Sequence, residues 1–248
     1  MHRFFIDKEK LNTMPIVITG QDYNHMKNVL RLQKGEEILL CDGDDREYIC
    51  RIKEYDTAGE KVFLEIRDIF GKARELSADI TLFQGYPKGD KIETIVQKAV
   101  ELGAFEIVPV MMKRCVVKLD EKKADKKVER FNAIALSAAK QSKRGRIPKV
   151  TKIMSMRDAC SYAEAMDYIL LSYENAEGIR KSKELLKEAA GKKRIGIFVG
   201  PEGGFEPSEV ELIEAIGGKT LSLGHRILRT ETAGMTMLSL LMFLLEED

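Results

Sequence analysis

Apolar positions along this chain follow two rhythms. Through the first 70 residues they alternate with polar ones over short runs. Strands are predicted there at residues 3–6, 16–18, 37–41, 48–55 and 61–69, parted by turn signals at Asp42-Gly43-Asp44 and Ala58-Gly59. Between the second and third strands, a helix over residues 22–30 would place Tyr23, Met26 and Leu30 on one face. The polar stretch GKARELS, residues 71–77, has no strand period and reads as a linker. A domain of about 70 residues buries only about 60% of its chain surface, so this first part is expected to lean on its neighbour.

From Asp79 the rhythm becomes strand and helix in alternation. Strands are expected at residues 80–84, 106–110 and 167–171, and helices at 88–102, 122–140 and 179–190. Ile92, Ile95, Val96, Ala99 and Leu102 form the inward face of the first helix, and Gly103 ends it. Residues 194–234 then carry two strand–loop–helix units. The β-branched run Ile195, Ile197, Val199 stops at GPEGGF, and a second short strand at residues 220–223 ends at Gly224 before an apolar helix. This alternation predicts an α/β fold, a mostly parallel sheet with helices on both faces. Two strand ends that break into glycine loops predict a ligand crevice. No Lys-Ser/Thr follows the glycines and no G-x-G-x-x-G is present, so neither a P-loop nor a dinucleotide fingerprint is expected.

Composition narrows the class. With 44% apolar and 33% charged residues the chain has the balance of a globular protein. The net charge of +1 hides an asymmetry: residues 113–149 hold thirteen Lys/Arg against four Asp/Glu. Such a run is either a solvated face or a polyanion site, and its dense end, Lys140-Gln141-Ser142-Lys143-Arg144-Gly145-Arg146, raises the weight of the second reading. The four cysteines are widely spaced and the three histidines do not join them, so no metal site or disulfide framework is expected. The first ten residues lack an apolar signal core, and the apolar stretch 235–245 is shorter than the ~20 residues that span a bilayer. A cytoplasmic protein with reduced thiols and no membrane partner is the expectation. The stretch 235–245 reads as core or as a subunit contact.

Several blocks together resemble one family. They are Arg3-Phe4-Phe5, His25 with Val29-Leu30-Arg31, KGDKIETIVQKAVELG from Lys88, Ile107-Val108-Pro109-Val110, and Arg114. Ala138-Ala139-Lys140-Gln141-Ser142 with Arg144, GPEGGF from Gly200 and LGHRILRTETA from Leu223 complete the series. In this order and spacing the chain resembles the RsmE family, 16S ribosomal RNA (uridine-N3) methyltransferases of the SPOUT superfamily. It departs from the usual pattern at Met112-Lys113, Cys115 and Ser137, and at Glu206, where a serine is frequent. The resemblance implies a PUA-like RNA-binding β-barrel at 1–72, then a SPOUT methyltransferase domain at 73–248 with a C-terminal trefoil knot. Knots are too rare for pattern reasoning to propose one. It also implies a homodimer, S-adenosylmethionine (SAM) as cofactor, and 16S rRNA or the small ribosomal subunit as partner. The implied target is the uridine at position 1498 in the customary numbering. A SPOUT enzyme acting on ribose 2′-hydroxyls or transfer RNA, and a non-catalytic ribosome-assembly factor, stand as alternatives.

Under that resemblance each residue type has a chemical task. SAM carries no phosphate, so its loop needs no P-loop lysine. Gly200, Gly203 and Gly204 would let backbone approach the cofactor. Leu223, Gly224, Leu228, Thr232 and Ala233 would line its site, and the stretch Leu171 to Glu174, at another strand end, would flank its methionine tail. Glu202 is either a ligand for hydroxyls or a carboxylate at a helix start. Uracil N3 must lose a proton while charge grows on the uracil oxygens. Arg229 is the candidate to stabilise that charge, and Glu231 to orient Arg229 or take the proton; the alternative is a buried Arg–Glu pair that only holds the loop. RNA contacts would fall to Arg3, His25, Arg31 and Arg114, and to Lys140, Gln141, Lys143, Arg144 and Arg146.

Overall fold

The computed structural model describes residues 1–43, 46–71, 75–117, 121–174, 176 and 178–246. Asp44 of the expected turn and residues 72–74 of the expected linker lie outside these described residues. The chain divides into two compact units. The first holds Met1–Glu75 together with Ala139–Ile147, and the second holds Leu76–Ala138 with Pro148–Asp248.

The first unit is built on β1 (His2–Phe5), β2 (Ile16–Thr19), β3 (Glu37–Cys41), β4 (Arg46–Asp56) and β5 (Lys61–Gly71). They form one five-stranded sheet in the order β1-β3-β4-β5-β2. All neighbours run antiparallel except β1 and β3. Alternation explains these strands: Tyr48, Cys50 and Ile52 of β4 point inward while their neighbours face out. The register shift at Ile49/Cys50 leaves Arg67 of β5 as an extra residue and that at Ile52/Glu54 leaves Lys53 of β4, irregularities that bend the pair and curl the sheet round its core. Phe4, Ile16, Met26, Ile38, Leu40 and Leu64 fill that core. A short helix, α1 (Lys8–Leu11), was not foreseen. The helix expected over residues 22–30 is split into α2 (Gly20–Asn24) and one π turn, His25–Val29.

The segment Ala139–Ile147 is held in this unit by polar contacts. Arg144 is 4% exposed, and its guanidinium pairs with the Glu75 carboxylate. Glu75 Oε1 also accepts the Gly145 and Arg146 N–H groups at 3.2 and 3.1 Å. Arg3 donates to the Arg144 carbonyl at 3.0 Å and pairs with Glu47 at 2.6 Å. Gly43 and Arg146 form a parallel bridge, and Lys140 lies 3.5 Å from Asp22.

The second unit carries β6 (Asp79–Gly85), α3 (Lys91–Glu101), β7 (Glu106–Met111) and α4 (Glu121–Gln141), whose last residues count with the first unit. Then follow β8 (Lys149–Val150), β9 (Met154–Ser155), α5 (Met156–Ala163), β10 (Tyr168–Ser172) and α6 (Ile179–Glu188). β11 (Arg194–Val199), α7 (Pro207–Ala215), β12 (Lys219–Leu221) and α8 (Thr230–Leu245) complete it. The sheet order is β12-β10-β11-β6-β7-β8, with β9 also on β7, and every pair is parallel. The central strands β6, β7 and β11 are buried nearly end to end, as helix cover on both faces requires. Phe83 stacks on Phe198 at 4.3 Å and joins Val108, Leu171, Ala159 and Ile213 in a core beneath α5 and α7. Gln84, next along β6 and so on the opposite face, meets α8. A Cβ on Gly234 would stand 3.2 Å from Gln84 Oε1, so the glycine inside this helix is what permits the approach.

The parallel α/β expectation therefore holds, with shifted ends. α3 starts three residues later than expected because Gly89 has φ +70°, a left-handed turn that no helix interior accepts. α5 was missed, although Ser155-x-x-Asp158 announced it. The Asp158 N–H donates to Ser155 Oγ at 3.2 Å and the hydroxyl reaches Asp158 Oδ2 at 2.7 Å. All four cysteines are free thiols. Burial pushes Cys50 up to about 12 and Cys41 and Cys160 to about 11, so these three are not thiolates near neutrality. Among the described residues no helix is long and apolar enough to cross a membrane, and no cluster of residues could hold a metal ion.

Candidate functional site

Parallel strands place all their carboxyl ends on one edge of the sheet. Beyond the ends of three neighbours, β12, β10 and β11, lies a cleft of about 650 Å³. β10 ends at Ser172, the chain after it supplies Tyr173, Glu174 and Gly178, and α6 begins there with Ile179. β11 runs into Val199, Gly200, Pro201, Glu202, Gly204 and Phe205. The chain after β12 supplies Ser222 to Thr230, with Ala233 and Lys91 closing the site.

The glycine loop at residues 200–205 is pinned from several sides. Thr230, at the start of α8 and 5% exposed, donates from Oγ1 to the Gly200 carbonyl at 2.6 Å and accepts from Gln84 Nε2 at 2.8 Å. Gly85 lies directly beneath: a Cβ there would stand about 2.5 Å from the Pro201 nitrogen, which only a glycine avoids. Gly204 takes φ +70°, and its N–H returns to the Pro201 carbonyl at 2.9 Å. The Thr230 hydroxyl gives one clear prediction. Thr230→Val keeps the shape but strips the hydroxyl from two buried partners, and should destabilise the protein by about 1–3 kcal/mol. Denaturant unfolding measures this, with Thr230→Ser as the control that keeps the bond. A neutral valine would mean that the hydroxyl does not hold the loop.

Glu202 lines the cleft, but its carboxylate is already engaged. It accepts the Lys88 N–H at 3.2 Å and the Lys91 ammonium at 2.7 Å. Burial alone would raise its pKa; Lys91 and the N–H donors outweigh that and hold it below the ordinary carboxylate value. Lys91 Nζ also stands 4.0 Å from Glu231 Oε2, a buried oxygen with no hydrogen bond among the described residues.

Of the residues singled out from sequence, Glu174, Gly200, Glu202, Leu223, Gly224, Leu228, Arg229 and Ala233 come together at the cleft. Leu171 does not: it is fully buried in the sheet core, and its neighbours Ser172 and Tyr173 face the site instead. Gly203 turns outward onto Arg114, where a Cβ would stand 2.9 Å from the Arg114 Cβ. Thr232 is exposed on the first turn of α8, outside the cleft lining. Arg229 is exposed at the rim, and no Arg229–Glu231 pair forms among the described residues, because Glu231 faces Lys91. Ser172 and Tyr173, inside the stretch 171–174 expected to flank the tail, line the cleft. Ser222 and Lys91 were not foreseen; Ser222 directly follows the end of β12, the signal that would have found it.

The RNA candidates sort by exposure. In the first unit His25, Arg31, Gln141 and Lys143 are exposed, and Lys140 and Arg146 are half-buried. Arg3 and Arg144 are internal, their guanidiniums held by Glu47 and Glu75, which removes them from a phosphate-facing surface. In the second unit Arg114 donates to Glu206 and to the Gly203 carbonyl at 2.7 and 2.9 Å.

Comparison with known proteins decides the family. Residues 74–242 match the family described as RNA methyltransferase domain, and residues 18–57 match the RNA methyltransferase PUA domain. The Ribosomal RNA small subunit methyltransferase E of Bacillus subtilis is 36% identical over 245 residues, covering 96% of this chain and 95% of that protein. The chain belongs to this family of RNA methyltransferases. Two solved structures resemble the chain over nearly its whole length. The crystal structure of the Neisseria gonorrhoeae member bound to S-adenosyl methionine superimposes with a TM-score of 0.82 at 29% identity, covering 98% of each chain. A Legionella pneumophila methyltransferase in complex with SAM gives 0.80 at 30% identity, covering 96% of each chain.

Proposed function

We propose that this protein methylates N3 of a uridine in 16S rRNA, position 1498 in the customary numbering, giving 3-methyluridine. The observation that carries the reading is the cleft beyond β12, β10 and β11, formed by the GPEGGF and LGHRILRTETA blocks that mark the family. Its volume of about 650 Å³ falls in the range of small-molecule sites. Its chemistry suits SAM. Leu223, Leu228 and Ala233 offer apolar walls, Gly200 and Gly204 offer close backbone, and the Glu174 carboxylate suits a cationic tail. Ser172 and Tyr173 join this set. When bound, SAM supplies the methyl group.

The chain's own residues prepare the acceptor. Arg229 stands at the rim with its guanidinium toward solvent, available to the negative charge that a deprotonated uracil spreads over its oxygens. Glu231 Oε2, buried 4.0 Å from the Lys91 ammonium and without a hydrogen bond among the described residues, receives in this reading the proton that N3 must lose. Glu202 anchors its loop to Lys88 and Lys91. The target base has to leave its stack to reach such a cleft.

The same reading includes a homodimer, supported by Leu240, Phe243 and Leu244, an apolar stripe left exposed on α8 at helical spacing. It includes a trefoil knot at the C-terminus. Its support is that β12 lies at the sheet edge, while the next element, α8, returns to β6 and β11 at the centre. A cytoplasmic location accords with a ribosomal substrate. RNA would lie on the first unit across His25, Arg31, Lys140, Gln141, Lys143 and Arg146. Arg31→Glu with Lys143→Glu should weaken RNA binding and lower its logarithmic salt slope by about one to two, since each phosphate contact contributes about 0.9. An unchanged slope would move the RNA face elsewhere.

The deciding experiment incubates the protein with methyl-labelled SAM and small subunits from cells lacking this modification, then identifies labelled nucleosides. Label in 3-methyluridine is expected. Label in a 2′-O-methyl nucleoside, or only in transfer RNA, would assign a sister activity. No label and no SAM binding would favour a binding-only assembly factor.

A further inference from the structure

The turn after β7 grips the glycine loop from outside the cleft. Four of its groups reach across to residues 203–209, one of them the Lys113 ammonium, which donates to Ser208 Oγ at 2.8 Å. Arg114 Nε donates to Glu206 Oε1 at 2.7 Å and Arg114 Nη1 to the Gly203 carbonyl at 2.9 Å. The Lys113 N–H donates to Glu209 Oε1 at 2.8 Å. Glu209 is 2% exposed, and its second oxygen accepts the Glu206 N–H at 3.0 Å. One carboxylate thus joins the turn to the start of α7. Gly203 is a glycine because Arg114 occupies the space its side chain would take. The opposite surface of this loop, through Gly200, Glu202 and Gly204, lines the cleft.

The sequence pattern had suggested a phosphate contact for Arg114. The geometry argues otherwise. A charge-assisted hydrogen bond to a carboxylate is about twice as strong as a neutral one, and a phosphate approaching Arg114 would meet Glu206 beside it. A serine in place of Glu206 still suits a helix start but brings no charge to Arg114.

We infer that Arg114 is a positioning residue of the cofactor cleft, acting through its pair with Glu206 to hold the glycine loop in its ligand-ready shape, and is not an RNA contact. The inference rests on the cleft being the SAM site.

The test is calorimetric SAM binding by the wild type, Arg114→Ala, Arg114→Lys, Glu206→Ser and the Arg114→Ala/Glu206→Ser double variant, beside RNA binding at several salt concentrations. Glu206→Ser keeps a capping residue, so it reports on the pair even if Arg114→Ala folds poorly. Arg114→Ala, which loses both of its bonds, should weaken SAM about tenfold, and Glu206→Ser, which loses only the pair, by less. The double should be no worse than Arg114→Ala, because that variant already removes the Glu206 pair along with the Gly203 bond. Arg114→Lys should recover part of the loss. Turnover at saturating SAM should stay within about threefold and the RNA salt slope should not move. SAM affinity unchanged, with a salt slope lowered by about one, would make Arg114 a phosphate contact and overturn the inference. Additive losses would overturn the pairing. A wild type that binds no SAM would sink the reading of the cleft, and this inference with it.

Discussion

Arg229→Ala is expected to lower kcat by about 10²–10³-fold, the usual effect of removing one donor aimed at developing negative charge. SAM affinity should stay within several-fold. The separation follows from where the side chain stands. Arg229 is exposed at the cleft rim, immediately before α8, and no hydrogen bond or ion pair of its guanidinium is found among the described residues. Its backbone carbonyl, which accepts the Ala233 N–H at 2.8 Å, survives the substitution and keeps the helix start intact. The loop itself is held by Thr230, not by Arg229. Single-turnover rates with calorimetric SAM binding read the two effects apart. Equal loss of both would make Arg229 structural. Arg229→Lys discriminates further: a point charge without the planar fork should restore only part of the rate.

What could be read from sequence and what could not differ for physical reasons. The parallel sheet was legible because periodicity reports burial. Ile195, Ile197 and Val199 are buried as their pattern requires, and so are Ile92, Ile95 and Val96 on α3. The cleft was legible because its glycines and its strand ends are local features. Side-chain partners were not, since pairing depends on what the fold brings near. The sequence offers Glu202 two roles, ligand or helix-start carboxylate, but not its partners Lys88 and Lys91, over a hundred positions away in sequence. Glu231 was matched with Arg229 because they are neighbours in the chain, yet it faces Lys91 on α3. The stretch Leu171 to Glu174 shows a smaller limit: adjacent strand residues point to opposite faces, so Leu171 enters the core while Ser172 lines the cleft. The basic run was the least legible. Charge density alone cannot tell Lys143, which is exposed, from Arg144, which lies one residue on and is buried against Glu75.

That buried pair carries the second large effect. Glu75→Ala should destabilise the first unit by about 3–5 kcal/mol, the range for removing one partner of a buried ion pair. Arg144 and Glu75 side chains are 5% and 12% exposed, so water cannot readily replace the lost carboxylate. Besides the guanidinium, Glu75 Oε1 serves the Gly145 and Arg146 N–H groups, which would lose their acceptor as well. Two further variants separate these parts. Glu75→Gln keeps an oxygen for the N–H groups and removes the charge, so its loss should be smaller. Glu75→Leu with Arg144→Met removes both charges; it should recover much of the loss and leave about 1–3 kcal/mol for the unanswered N–H groups. Because two units unfold in one chain, a single transition is an unsafe measure. Hydrogen exchange resolves them: amides of β3 and of residues 144–146 should exchange faster in Glu75→Ala, while those of β6 and β11 keep their rates. Faster exchange throughout the chain would mean that the two units unfold as one. No change in β3 would mean that the pair does not hold the segment Ala139–Ile147 to its sheet, and the basic run would then regain Arg144 as an RNA contact.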